Sequence, residues 1–174
     1  MNNKNNHKSL LCMLISILPV ALLIGLDQLS KYFAYSNLRV NGPIEIIKGV
    51  FSLTYTTNTG AAWGMMSGNV IHLWLPIILG IIIIIFYQRI PATKRMLPLN
   101  ICLIFLFSGA IGNRIDRAIY GCVQDYFYFE LIDFPIFNVA DCYIVVSCIV
   151  TLLLFLFFYK EDEFDNIFSL KRNK

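Results

Sequence analysis

The chain has 174 residues, of which 57% are apolar and only 14% are charged, and its mean hydropathy is +0.66. An average soluble domain is roughly 45–50% apolar and about 25% charged, so this composition excludes a disordered chain and argues strongly against a soluble globule. The formal net charge is only +3 and the basic residues are scattered, so we expect no nucleic-acid partner. The 5 cysteines form no Cys-x-x-Cys pair and lie mostly in apolar runs, which favours free, buried thiols.

Four apolar runs contain no charged residue, and they cover residues 10–26, 70–87, 96–112 and 143–159. At 1.5 Å per residue each run extends about 26 Å as a helix, close to the ~30 Å hydrocarbon core of a bilayer. Lipid offers no water to the backbone, so spanning segments of this kind form helices. We therefore predict an all-α membrane protein with a four-transmembrane-helix bundle. Residues 1–174 form a single integral membrane domain in this prediction, with helices near 10–33, 68–88, 96–119 and 139–160.

The distribution of basic residues predicts how these helices are oriented. Nine of the 14 Lys and Arg residues lie in the two terminal tails and in the link between the second and third helices. Because cytoplasmic loops carry the excess of Lys and Arg, we expect both termini in the cytoplasm and segments 28–69 and 113–142 outside. Lys4 and Lys8 before the first run also resemble the start of a signal peptide. No A-x-A-like cleavage site follows, however, so we predict an uncleaved helix.

The first outer segment has β-structure signals between about residues 40 and 60. Ile44–Ile47 and Val50–Thr57 are rich in β-branched and aromatic residues and flank a Lys48-Gly49 turn, with apolar and polar residues alternating after the turn. This pattern predicts a small extracytoplasmic β-hairpin or sheet with one apolar face. The following segment, 61–66, is expected to form a short interfacial helix.

Carboxylates are concentrated in the second outer segment. Of the 11 Asp and Glu residues, seven lie outside the C-terminal tail, and five of these seven fall between Asp116 and Asp141. Ionisable groups at the membrane boundary are costly, so each is a candidate functional group. Asp141 begins the fourth apolar run, where it is either the helix N-cap or, if Asn138 is the cap, a free carboxylate in the first turn. Asp125 has apolar and aromatic neighbours and is alternatively an ordinary loop acid.

Considered together, Asp125 and Asp141 suggest a specific chemistry. They are only 16 residues apart, so a turn of the chain can bring both carboxylates into one site. Two adjacent carboxylates share a proton, so one can act as a base on water while the other acts as an acid on a carbonyl oxygen. This is the arrangement of an aspartic protease.

Other catalytic arrangements fit the sequence poorly. His7 and His72 are the only histidines, so neither a Ser-His-Asp triad nor an HExxH zinc motif is available. Ser30 and Lys31 are adjacent, and adjacent residues of a helix do not face each other. We therefore expect neither a metal nor a cofactor. A small transporter with a proton relay and a noncatalytic scaffold, with polar residues as helix contacts, remain alternative classes.

Five short sequence blocks occur in a characteristic order. They are Asp27-Gln28-Leu29-Ser30-Lys31, Asn58-Thr59-Gly60-Ala61-Ala62-Trp63, Gly109-x-x-x-Asn113-x-x-Asp116-Arg117, Val123-Gln124-Asp125 and Phe137-Asn138-Val139-Ala140-Asp141. Each block alone is weak, but together they resemble the motif blocks of the bacterial lipoprotein signal peptidases (type II). The resemblance covers roughly residues 20–145 and therefore most of the chain.

The resemblance implies a membrane-embedded aspartyl endopeptidase of the bacterial cytoplasmic membrane, with its active site at the outer face. Such an enzyme removes the signal peptide from diacylglyceryl-modified prolipoproteins, cutting before the lipidated Cys, with membrane phospholipids as further partners. Asp125 and Asp141 take the catalytic positions. The supporting and substrate-binding positions are Asp27, Lys31, Asn58, Gly60, Asn113, Asp116, Arg117 and Asn138. Tyr126 and Arg114 depart from the family pattern, and Tyr126 leaves the local shape of the pocket open.

Overall fold

The structure is a computed structural model, and it describes residues 8, 10–60, 71–160 and 163. In chain order its elements are α1 (Leu10–Asn41), β1 (Ile44–Ile47), β2 (Phe51–Asn58), α2 (Ile71–Arg89), α3 (Leu97–Tyr120), β3 (Val123–Tyr128), a 3₁₀ turn (Glu130–Ile132) and α4 (Val139–Phe157). The interfacial helix expected over residues 61–66 lies outside the described residues.

The helices account for most of the described chain. Among these residues, α1, α3 and α4 are long and apolar enough to cross a membrane, whereas the apolar part of α2 is the shorter segment Pro76–Arg89. Helix α3 contacts each of the other three helices and so lies at the centre of the bundle. Large apolar side chains such as Leu18, Leu22 and Leu153 are exposed on its outside. Apolar side chains on the outside of a helix bundle are favourable when lipid, and not water, surrounds the bundle.

Two glycines of α3 allow its neighbours to approach closely. A Cβ on Gly109 would lie 2.5 Å from the backbone oxygen of Ala140 in α4, and one on Gly112 would lie 2.5 Å from Oδ2 of Asp27 in α1. Such distances are far too short for real Cβ contacts, so a side chain at either position would force the neighbouring helix or side chain to move. Small residues are the usual means by which membrane helices pack closely. The first turn of α4 and the middle of α1 are thereby brought onto α3.

The β-strands form one antiparallel sheet in the order β1-β2-β3. The sequence predicts the first two strands as a hairpin, but it does not predict the third. Helix α3 ends at Gly121, whose φ of +72° is a left-handed conformation that glycine adopts without strain. The chain then reverses and β3 pairs with β2, so that Thr56 lies opposite Asp125. The strand therefore fixes the position of Asp125 relative to the helices.

Helix α1 is longer than the sequence predicts. The expected end is near residue 33, whereas the helix continues to Asn41 and ends before Gly42, which has a φ of +86°. Its last turns pack under the sheet, because Ala34 and Leu38 form a buried cluster with Tyr126 of β3. The sheet thus rests on the end of α1.

Candidate active site

A buried ion cluster joins α1 and α3. The Lys31 ammonium lies 2.9 Å from Oδ2 of Asp27 and 2.9 Å from Oδ2 of Asp116, and all three side chains are at most 1% exposed. Lys31 also donates a hydrogen bond of 3.0 Å to Oδ1 of Asn113. Asp27 and Lys31 are one helical turn apart, so their side chains lie on the same face of α1. Charges buried this completely are stable only when paired, and here one cation is shared by two carboxylates.

Further hydrogen bonds connect this cluster to the rest of the fold. Oδ1 of Asp27 accepts from the backbone N–H of Ala140 at 3.0 Å, and Oδ2 of Asp116 accepts from that of Gln124 at 3.2 Å. Gln28 donates to Oδ1 of Asp116 at 2.9 Å and to Oδ2 of Asp27 at 3.1 Å. The cluster therefore ties together α1, α3, β3 and the start of α4.

Gln28 is a participant that the sequence interpretation missed. It lies inside the first motif block, but only the two charged residues of that block were predicted to support the site. Its position could have identified it, because Gln28 follows Asp27 directly and the preceding turns of α1 are apolar. An uncharged amide in such a place is expected to have a buried hydrogen-bond partner.

Asn113 and Asn138 link the ion cluster to Asp125 and Asp141. Asn113 donates from Nδ2 to Oδ1 of Asp141 at 2.7 Å. Asn138 donates from Nδ2 to Oδ1 of Asp125 at 2.6 Å and to Oδ1 of Asn113 at 3.2 Å. Since Oδ1 of Asn113 also accepts from Lys31, both amides are fixed in orientation by their neighbours. A continuous hydrogen-bonded path therefore runs from the buried ammonium to the two carboxylates.

The start of α4 resolves the two interpretations of Asp141. Asn138 is the N-cap, because its side chain accepts from the Asp141 backbone N–H at 3.0 Å. Asp141 is in the first turn, and its Oδ2 accepts from the backbone N–H of Asn138 at 3.1 Å. This reciprocal pair is a capping box. The carboxylate of Asp141 is thus held at the positive end of the α4 dipole.

Asp125 and Asp141 line the same cavity, which we call the dyad cavity. It has a volume of about 460 Å³ and also includes Asn58, Gly60 and Arg117. Arg117 donates to the backbone oxygen of Gly60 at 3.3 Å, and the N–H of Gly60 donates to Oδ1 of Asn58 at 3.0 Å. Asn58 in turn hydrogen-bonds to Asp125. Every predicted site residue therefore belongs either to this cavity or to the network behind it.

The protonation of Asp125 is strongly affected by its surroundings. Burial, followed by the negative charge of Asp141, raises the pKa of Asp125 from 3.8 to about 6, although hydrogen bonds from Asn138 and Asn58 oppose the shift. Burial penalises the charged form of an acid, and a nearby like charge does the same. Asp125 consequently retains a proton at a pH at which an exposed aspartate is fully ionised.

Several residues considered from the sequence lie outside the dyad cavity. The Tyr126 hydroxyl donates to Oγ of Ser30 at 2.6 Å, and the Tyr126 ring packs against α1, so this departure from the family pattern does not shape the cavity. Ser30 itself donates to the backbone of Asp27. Glu130 and Asp133, two of the five carboxylates between Asp116 and Asp141, belong to the 3₁₀ turn and its cap, outside the cavity lining. Among the described residues, no cluster of three His, Cys, Asp or Glu side chains could hold a metal ion.

Comparison with known proteins identifies the family. The model of the Signal peptidase (SPase) II family matches residues 19–158. The lipoprotein signal peptidase of Enterococcus faecalis is 39% identical over 79% of this chain and 84% of its own length. That of Clostridioides difficile is 40% identical over 86% of this chain and 100% of its own length. The chain therefore belongs to the signal peptidase II family, and it is a peptidase of a bacterial membrane.

Solved structures agree with this assignment at the level of the fold. Two structures of bacterial membrane enzymes are each 28% identical to the chain. One has a TM-score of 0.69 and covers 98% of both chains, and the other has a TM-score of 0.71 and covers 90% of this chain and 100% of its own. The helical membrane architecture with a small sheet is thus shared, and the family resemblance expected from the five motif blocks is confirmed.

Proposed function

We propose that Asp125 and Asp141 are the catalytic pair of an aspartyl endopeptidase that removes the signal peptide from diacylglyceryl-modified prolipoproteins, cutting before the lipidated Cys. The observation that carries this proposal is that both carboxylates line one cavity and are bound to the same asparagine, Asn138. The lipoprotein signal peptidases to which the chain is 39–40% identical support the substrate.

The two carboxylates have different roles in the proposed reaction. Asp141 accepts hydrogen bonds from Asn113 and from the Asn138 backbone and lies at a helix N-terminus, so it is the base. Asp125, whose pKa is raised to about 6, is the acid. Asp141 takes a proton from water as the water oxygen attacks the scissile carbonyl carbon, and Asp125 protonates the carbonyl oxygen. When the C–N bond breaks, Asp141 passes its proton to the leaving amine and Asp125 recovers its own.

The supporting residues act by fixing this pair. Asn113 and Asn138 position the carboxylates, and the Asp27–Lys31–Asp116 cluster holds the two asparagines in place. This is the kind of rigid surrounding shell that keeps reacting groups within a fraction of an ångström of their working geometry. Lys31 is buried and fully engaged, so it orders the site and does not meet lipid headgroups. Arg117 borders the cavity and is available to the substrate backbone.

The proposal includes an orientation in the membrane. All four helices span the bilayer with both termini in the cytoplasm, and the sheet and the dyad cavity lie at the outer face. Two observations support this arrangement: the Lys and Arg excess of the tails and the α2–α3 link, and the location of the dyad at the end of the bundle where the sheet lies. A substrate Cys carrying acyl chains in the membrane then has its preceding peptide bond at the depth of the dyad, where water enters from outside.

The direct test uses the purified chain in detergent or lipid with two forms of one precursor, lipidated and unlipidated. We expect a single cut immediately before the modified Cys in the lipidated form only, mapped by mass spectrometry. Cleavage of both forms at equal rates would contradict the requirement for the lipid. Cleavage at another bond, or cleavage that chelators abolish and zinc restores, would contradict the proposed chemistry.

A further inference from the structure

A second cavity lies beside the dyad cavity but contains neither catalytic carboxylate. Its volume is about 580 Å³, and its lining includes four tyrosines and one arginine. These residues are Tyr32, Tyr35, Tyr55, Tyr120 and Arg39, and we call the space the tyrosine cavity. Gln124 lines it, whereas the next residue, Asp125, lines the dyad cavity. Successive side chains of a strand point to opposite faces, so β3 separates the two cavities.

The polar groups of the tyrosine cavity favour an anion. Arg39 donates from Nη1 to the hydroxyl of Tyr35 at 2.7 Å, and its guanidinium lies 5.0 Å from the centre of the Tyr35 ring. Among the described residues, no carboxylate forms an ion pair with Arg39, and none lines the cavity. The cavity therefore offers a cation with unused N–H donors together with phenolic hydroxyls. This set of groups matches phosphate oxygens, which accept several charge-assisted hydrogen bonds at once.

The depth of the cavity indicates where such an anion comes from. Tyr32, Tyr35 and Arg39 follow the charge-free run of α1, which ends at Leu26, and lie on the turns that carry the sheet. Tyr32, Tyr35 and Tyr120 are 64%, 44% and 59% exposed. Tyrosines are enriched at the level of the lipid headgroups, where one side of the ring is apolar and the hydroxyl is wet.

We propose that the tyrosine cavity binds the phosphodiester of an anionic phospholipid headgroup, with Arg39 as its cationic contact. The acyl chains of that lipid lie along the exposed apolar surface of α1 below the cavity, where Leu14 and Leu18 are 53% and 66% exposed toward the side of the helix that carries Tyr32, Tyr35 and Arg39. The site takes a lipid of the surrounding membrane and is separate from the peptide-cleaving dyad. It does not depend on which residues catalyse the reaction.

The first test measures binding to the detergent-purified full chain by native mass spectrometry. The probes are short-chain phosphatidylglycerol, short-chain phosphatidylcholine and soluble glycerol phosphate. We expect phosphatidylglycerol to bind most tightly, and Arg39→Gln to weaken that binding about tenfold, which is the effect of losing one charge-assisted hydrogen bond. Lys48→Gln is the matched control, since it removes an exposed positive charge from the β1–β2 turn, away from the cavity, and is expected to leave the affinity unchanged.

A second test locates the lipid without any substitution. Cys122 lines the tyrosine cavity and Cys142 lines the dyad cavity, so the two thiols report on the two sites separately. Saturating phosphatidylglycerol should slow maleimide labelling of Cys122 several-fold and leave that of Cys142 unchanged. Equal slowing of both thiols, equal binding of phosphatidylcholine, or an equal effect of the Arg39 and Lys48 changes would overturn the proposal. If glycerol phosphate binds as tightly as the lipid, the ligand of the tyrosine cavity is a soluble phosphate ester and not a lipid.

Discussion

Asn138 is the residue on which the geometry of the two carboxylates depends. Its amide nitrogen donates to Asp125, its amide oxygen accepts from the Asp141 backbone, and its own backbone N–H donates to the Asp141 carboxylate. One fully buried residue thus caps α4 and, through its side chain and its backbone, contacts both carboxylates. Asp has a similar size but cannot replace it, because an ionised carboxylate has no donor for Asp125 and its charge would oppose those of its two neighbours.

The interdependence of the pair gives the sharpest prediction for single residues. Asn has nearly the size of Asp but can neither accept nor hold the transferred proton. Asp125→Asn and Asp141→Asn should therefore each reduce turnover of a lipidated precursor by about 10²–10⁴-fold or more. The double variant should be little slower than either single variant, because groups that act as a unit are strongly non-additive. The measurement is the steady-state cleavage rate with purified protein.

The matched controls for this prediction are the nearby acids Glu130 and Asp133. Both lie in the 3₁₀ turn and its cap, and Asp133 accepts from the Tyr128 hydroxyl at 2.6 Å. Glu130→Gln and Asp133→Asn should keep near wild-type rates. A dead control together with a fully active Asp125→Asn or Asp141→Asn variant would show that the pair has been assigned to the wrong carboxylates.

The raised pKa of Asp125 makes a separate prediction about stability. Because its pKa is higher in the folded chain than its ordinary value of 3.8, the folded state favours the protonated form. Folding is therefore weakened as the pH rises from about 4 through about 6 and Asp125 ionises. Asn does not titrate, so Asp125→Asn should gain stability over the wild type across this range. The gain should level off above it, at roughly 3 kcal/mol or less.

Unfolding midpoints in detergent at pH 4.5, 6 and 8 measure this difference, with the exposed Asp133→Asn change measured alongside to account for the other acids. A difference between Asp125→Asn and wild type that stays constant over the three pH values would mean that Asp125 has no raised pKa. The predicted direction is specific, since a carboxylate with a lowered pKa would show the opposite trend.

At the scale of elements, helices were predictable and β3 was not. Helices α1, α3 and α4 follow from long charge-free runs, because the membrane imposes both their composition and their length. Strand β3 forms by pairing with β2, which is far away in the sequence, and only after the left-handed Gly121 reverses the chain. Nothing local in Val123–Tyr128 specifies that partner.

The same reasoning explains how much of the site was predictable. The motif blocks identified Asp125, Asp141 and eight supporting positions, all of which the structure brings to the dyad cavity or its network. Which of these residues contact one another was not predictable from their spacing in the sequence. It depends on the close approach of α1, α3 and α4, which determines that Lys31 is shared by Asp27 and Asp116.

The close contact between α3 and α4 can be tested at Gly109. A Cβ there would lie 2.5 Å from the Ala140 backbone oxygen and 2.8 Å from the Ile144 side chain, so the two helices would have to move apart. Gly109→Ala should lower the free energy of unfolding by about 1–3 kcal/mol, the usual cost of overpacking. It should also slow cleavage, because Ala140 is adjacent to Asp141.

Gly25 in α1 is the control for this change, since nothing lies within 4 Å of the position that its Cβ would occupy. Gly25→Ala should leave stability unchanged or raise it slightly, because alanine is the better helix former. Thermal unfolding in detergent and the cleavage rate are both measured. If the two substitutions have the same effect on stability, the close approach at Gly109 is not what holds α4 in place.

At the scale of the whole molecule, the fully buried charged residues of the described part of the chain lie toward one end of the bundle. Asp27 and Lys31 lie in the second half of α1, Asp116 lies near the end of α3, and Asp141 opens α4 on the same side. The other end is closed by an apolar cluster around Ile90, Leu99 and Tyr159. A site for hydrolysis needs water, so a dyad at the end of a membrane bundle is reached from one side only. Which side that is depends on the orientation of the chain.

In the proposed orientation, the basic tails and the α2–α3 link lie in the cytoplasm, and Asn41, at the end of α1, lies outside. Asn41 and Thr93 are both exposed, so single cysteines there can be labelled. In intact cells an impermeant maleimide should label Asn41→Cys and should label Thr93→Cys only after the cells are opened. Labelling of the unsubstituted chain is subtracted to account for its own cysteines. The reverse labelling pattern would place the dyad on the cytoplasmic face, out of reach of a lipoprotein precursor delivered to the outer face. Labelling of both cysteines from one side would contradict the four-span arrangement.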